Sequence, residues 1–146
     1  MGTFKDVEQM EVWRKSREFT KEVYLIIRQN RFSRDYCLRD QICRASISVM
    51  SNIAEGFERG GSGEFIQFLS MAKGSIGEAK THLYIAVDQE YIDKETFSRL
   101  NNMALEIGRM IGGLINYLRD SNLKGVKYKT LKTTRDPKPE TRDGLS

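Results

Sequence analysis

Three sets of residues in this 146-residue chain have types and spacings that could do chemistry. The first is Glu78 and His82, the sole histidine, four residues apart and so on one face of a helix. They form a fragment of a metal or acid–base site. A di-metal bundle centre needs two Glu-x-x-His motifs and two further glutamates, and that set is not in the sequence. No Cys/His, Ser/His/Asp or paired-carboxylate set is legible either. The chain therefore reads as a non-enzyme, with no catalytic residue, metal or cofactor, and His82 reads as a hydrogen-bonded structural residue. The second set is Gly60-Gly61-Ser62-Gly63. Such a segment could cradle a phosphate at a helix N-terminus. It lacks the Lys-Ser/Thr ending of a P-loop and follows no strand, so it reads as a helix break. The third set lies near the C-terminus, where Lys124, Lys127, Lys129, Lys132 and Arg135 alternate with apolar and aromatic residues. Those cations suit phosphate contacts, and Tyr128 suits stacking on a base.

The charge distribution sharpens that third set. Residues 122–146 hold seven basic and three acidic groups, which is the whole of the chain's net +4; the rest balances 17 against 17. The basic character belongs to a tail and not to the body. Pro137 and Pro139 interrupt regular structure there. The expected division is a domain over 1–121 and a flexible basic tail over 122–146.

The elements that must position these groups are helices. Val12, Phe19, Val23, Ile26 and Ile27 recur at helical spacing in a first helix, from about Asp6, its expected cap, to Gln29. A second helix, capped by Ser33 and ending near Glu58, carries the stripe Leu38, Ile42, Ala45, Val49, Ile53 and Gly56. Hard against it runs a file of polar residues: Gln41, Arg44, Ser48, Asn52, Glu55 and Arg59. A third helix, capped by Ser62, buries Phe65, Phe68, Leu69, Ala72, Ile76, Ala79, Leu83 and Ala86. Its own polar line is Glu64, Ser75, Glu78 and His82. If these two helices are antiparallel, the two lines form a structural polar seam that fixes register, with Glu78 in reach of Arg44, Ser48 or Asn52. A fourth helix, capped by Asp93, carries the stripe Phe97, Leu100, Ala104, Ile107, Ile111, Leu114, Ile115 and Leu118. It contains Gly108, Gly112 and Gly113, each costing about 0.8–1.0 kcal/mol relative to alanine, so a helix of the same chain or of another subunit should pack closely there. Four amphipathic helices with short loops imply an all-α, antiparallel up-down four-helix bundle.

Cys37 and Cys43 point in different directions on one helix, so no disulfide is expected, and free thiols fit a reducing compartment. The N-terminus has no apolar signal core, and no apolar run is long enough to span a membrane. A cytoplasmic protein is expected.

The run Leu38-x-x-Gln41-Ile42-x-Arg44-Ala45-x-x-Ser48-x-x-x-Asn52-Ile53-Ala54-Glu55-Gly56, followed by Arg59, resembles the signature of the bacterial four helix bundle protein family. That family includes proteins encoded in intervening sequences of large-subunit ribosomal RNA genes. The run Glu64-Phe65-x-x-Phe68-Leu69-x-x-Ala72-x-Gly74-Ser75-x-x-Glu78 and the opening Phe4-x-Asp6 with Val12-Trp13 extend the likeness over about residues 4–120. Met50 and Ser33 stand where the family usually has proline, and the basic tail lies outside the common pattern. The resemblance implies a ring-like homo-oligomer, a pentamer, associated with structured RNA or DNA. Accessory proteins of diversity-generating retroelements look like relatives and work beside a reverse transcriptase. The expected function is a non-enzymatic, nucleic-acid-binding homo-oligomer contacting structured RNA. The alternative is a protein-interaction scaffold, such as an accessory subunit of a reverse transcriptase, using Gly108, Gly112 and Gly113 and the outer helix faces.

Overall fold

The computed structural model describes the backbone of residues 5–132 and the side chains of residues 5–121. Four helices follow one another: α1 Glu11–Ile27, α2 Tyr36–Arg59, α3 Ser62–Asp88 and α4 Lys94–Lys132. There is no strand among the described residues. Each helix packs on its two neighbours in a closed cycle, most extensively α2 on α3. The fold is the expected all-α four-helix bundle.

Cross-helix contacts show the direction of the chain. Lys15 pairs with Glu106, and Glu22 with Arg99, so seven residues up α1 match seven residues down α4. The two helices are antiparallel. The turn of Gly60 and Gly61 makes α2 and α3 antiparallel in the same way. Gly60 takes φ +86° there, a left-handed conformation that glycine adopts without a Cβ clash.

The stripes read from the sequence become the core. Phe19, Ile42, Ile53, Phe65, Leu69, Leu83, Leu100, Ile107, Ile111 and Leu118 are all buried to within 2% of full enclosure. Fully burying each such side chain contributes about 1.5–3 kcal/mol, so this stripe pattern dominates the choice of fold.

The helix ends differ from expectation in three places. Asp6 precedes only a short 3-10 turn, Val7–Gln9, and makes no capping bond. Met10 is buried in extended backbone, so α1 starts one residue later, at Glu11. Ser33 lies in a second 3-10 turn, Asn30–Arg34, and its hydroxyl donates to the Asn30 carbonyl at 2.7 Å. Asp35 is the true cap of α2. Its carboxylate accepts from the Leu38 N–H at 3.0 Å and the Tyr91 hydroxyl at 2.9 Å, and both bonds hold it below the usual carboxylate range. Ser62 is the first residue of α3 and wholly buried, and Gly61 occupies the cap position. Asp93 does cap α4, accepting from the Thr96 N–H at 2.7 Å.

The helical backbone does not stop at Ser121 but continues to Lys132. Locally nothing forbids this: between Ser121 and Lys132 the only glycine is Gly125, and proline first occurs at Pro137. Part of the segment expected to be a flexible tail is thus an extension of α4. Arg135 and the rest of 133–146 lie outside the described residues.

Candidate nucleic-acid interface and polar seam

The polar seam forms between α2 and α3, and its closed part is centred on Ser48. Ser48 and Ser75 share a hydrogen bond of 2.8 Å across the two helices. The Asn52 amide donates to the Ser48 hydroxyl at 3.0 Å and to the Ser48 carbonyl at 2.9 Å. All three residues are half-buried, so these bonds satisfy polar groups that would otherwise lose water. One turn beyond, Gly56 lets the helices touch. A Cβ there would lie 2.7 Å from the Phe68 Cβ and 2.9 Å from the Phe65 ring.

The seam ends at an exposed charged group. The Arg59 guanidinium donates to Glu55 at 3.0 Å, lies 3.5 Å from Glu64, and stacks 5.2 Å over the Phe68 ring. Pairs this exposed contribute about 0–1 kcal/mol, so they orient the turn more than they stabilise it.

Toward the other end the expected network opens. Gln41, Arg44 and Glu78 are exposed, and Arg44 has no bond to Glu78, Ser48 or Asn52. The register explains this. Ser48 lies opposite Ser75, so Arg44 and Glu78 come level on the outer edge, where long side chains reach water at no penalty. His82 is half-buried, but its Nδ1 is enclosed and has no hydrogen-bond partner. The expectation of a hydrogen-bonded His82 is corrected at that atom. Burial pushes its pKa below the ordinary histidine value, and the nearby Glu78 carboxylate opposes that shift. Among the described residues, no group of three or more His, Cys, Asp and Glu side chains is placed to hold a metal. Both cysteines are free, Cys37 exposed and Cys43 half-buried.

Of the expected nucleic-acid contacts, Lys124, Lys127, Tyr128, Lys129 and Lys132 share the helical backbone of the α4 extension. Arg135 lies outside the described residues.

Sequence reasoning missed a second cationic region. Between α3 and α4 an open groove of about 650 Å³ is flanked by Lys73 and Lys80 on one side and Arg109 on the other. A second recess shares Lys73, Gly112 and Asn116 with it and extends it to Arg119. Among the described residues, no acidic side chain lines either part. Within this chain the glycines expected to admit a close helix neighbour meet at most ordinary contacts. A Cβ on Gly108 or Gly112 would sit 3.9 Å from Ile76 or 3.6 Å from the Lys73 ammonium, and on Gly74, Gly77 or Gly113 it would meet nothing within 4 Å. The available signal was spacing: Lys73 and Lys80 are seven apart, two helical turns on one face.

The fold and the seam define an antiparallel four-helix bundle protein whose middle helices are held in register by short polar side chains. The family model described as 23S rRNA-intervening sequence protein matches residues 8–113, and the chain belongs to that family. A solved crystal structure is also similar: a protein with unknown function from the S23 ribosomal protein family of Bacteroides thetaiotaomicron. It is 27% identical, covers 71% of this chain and 97% of its own, and superposes with a TM-score of 0.65. None of the curated proteins matches the sequence. No helix among the described residues is long and apolar enough to cross a membrane.

Proposed function

We propose that this chain is a non-enzymatic, cytoplasmic homo-oligomer, a pentamer, that binds structured RNA through its C-terminal basic segment. The observation that carries this reading is the placement of the entire net charge of +4 in residues 122–146, with its first lysines on the helical continuation of α4. A helix holds Lys124, Lys127, Lys129 and Lys132 at fixed spacing, which lowers the ordering cost of contacting a phosphate backbone. Assembly multiplies such contacts by raising their local concentration. Membership of a family named for an rRNA intervening sequence is consistent with RNA as the target.

The test compares the full chain with one ending at Ser121. Titration of a labelled RNA hairpin at several salt concentrations should show weaker binding and a shallower salt dependence for the shortened chain. Equal affinity and equal salt slope would exclude the segment as the RNA contact. Light scattering gives the number of subunits in the same samples.

A second reading is a scaffold for a protein partner such as a reverse transcriptase. It is favoured by the exposed apolar residues Ile47, Met71 and Leu105 on three different helices. Binding of a purified reverse transcriptase that survives nuclease treatment supports the scaffold. Binding that disappears with the RNA supports the first reading.

A further inference from the structure

We infer that the groove between α3 and α4 is a second RNA-binding surface, one that grips the phosphodiester backbone of the same RNA on the folded body. This rests on the RNA-binding reading above and places part of that binding away from the C-terminal segment.

Charge carries the inference. Lys73, Lys80, Arg109 and Arg119 flank the groove, and none of them makes a hydrogen bond or ion pair among the described residues. The contrast with the α1/α4 side is direct. There Lys15 and Arg99 reach across to Glu106 and Glu22, so each cation is neutralised. At the α3/α4 side no bond among the described residues neutralises the cations. Like charges held together repel, and an anion between them relieves that repulsion.

Geometry narrows the anion to a chain. Lys73 and Lys80 lie about 10 Å apart along α3, and Arg109 and Arg119 about 15 Å apart along α4, at roughly 1.5 Å of rise per residue. A single phosphate cannot span those distances, but a backbone with phosphates at regular intervals can. The glycines leave the groove open enough for that backbone to approach the helices. No aromatic side chain among the described residues lines the groove, so they offer no platform for base stacking. Binding should therefore be strongly salt-dependent and indifferent to sequence. The groove also runs along α4 toward the residues that carry the C-terminal lysines, so one strand can engage both.

The experiment uses the full chain and a labelled RNA hairpin, with Lys73→Gln, Lys80→Gln, Arg109→Gln and Arg119→Gln combined. The expected result is a loss of affinity of about tenfold or more and a salt slope shallower by roughly three, close to one per phosphate contact removed. Circular dichroism and light scattering on the same variant should match the wild type. A second measurement needs no variant: bound RNA should protect Lys73 and Lys80 of the wild type from acetylation, read by mass spectrometry. Unchanged affinity together with unprotected lysines overturns the groove and leaves the C-terminal segment as the contact. Wild-type protein that binds no RNA overturns the RNA reading and the groove with it. A variant that loses its oligomeric state overturns the groove as an RNA surface, because it assigns the same cations to a subunit interface. Loss of binding on truncation at Ser121 with no loss in the groove variant also overturns it.

Discussion

Glycine serves opposite ends in the two seams that α3 makes, one with α2 and one with α4. Toward α2, Gly56 faces Phe65 and Phe68 so closely that a Cβ would lie 2.7 Å from another Cβ. Toward α4, Gly77 has nothing within 4 Å and Gly108 meets Ile76 only at 3.9 Å. One seam is closed, with its short polar groups bonded to each other. The other is open and flanked by cations that bond to nothing described. A glycine in a helix is thus not evidence of close packing by itself. What distinguishes the two seams is the size of the residues opposite and the presence or absence of acceptors for the polar groups.

The sharpest way to break this contrast is Gly56→Ala. The added methyl meets the root of the Phe68 side chain, which cannot swing aside. Overpacking of this kind costs about 1–3 kcal/mol or more, against about 1 kcal/mol recovered in helix propensity. Urea denaturation should show a net loss of stability. A neutral or stabilising result would mean that α2 and α3 are not in close contact at this point.

The polar core of the closed seam should give the next largest effect. Ser48→Ala removes the partner of the Ser75 hydroxyl, leaves Asn52 only its bond to the backbone carbonyl at 48, and should cost about 1 kcal/mol. Ser75→Ala should cost less, because Ser48 keeps its bond from Asn52. A double-mutant cycle should return a coupling of about 0.5–1 kcal/mol between the two serines. Strict additivity would remove the seam as a register device.

The open seam predicts the opposite sign. Gly77→Ala has space for its methyl, so it should stabilise the fold by about 0.5–1 kcal/mol through helix propensity and a less flexible unfolded chain. Destabilisation would show that another chain packs on this face in the assembly.

His82 gives the smallest effect and reads the end of the α2/α3 seam at which the polar network opens. Its folded pKa lies below the ordinary value of 6.5, mainly through burial. The unfolded chain therefore takes up the proton more readily than the folded one. Its contribution to stability is present above pH 6.5 and is lost as pH falls from there through the folded pKa. Urea midpoints measured from about pH 7 down to about pH 5 should decline, and His82→Asn should flatten that decline. Identical profiles would place the proton linkage elsewhere.

Much of the fold was legible because hydrophobic periodicity is a property of the chain alone. Leu38, Ile42, Val49 and Ile53 mark the buried side of α2 whatever packs on it, and Gly60-Gly61 ends that helix because few other residues accept the required φ. The polar line of α2 was equally visible. The caps were less so: Ser33 and Asp35 are both good capping residues, and the backbone path through the buried Phe32 decides between them.

The sequence by itself determined four helices, their inward faces and the break between α2 and α3, since each follows from local spacing and backbone preference. The tertiary structure alone decided register, because register is a relation between helices. It paired Ser48 with Ser75, left Arg44 and Glu78 in water, and enclosed His82 Nδ1 without a partner. It also brought Lys73 and Lys80 beside Arg109 and Arg119, residues too distant in sequence for any local pattern to join.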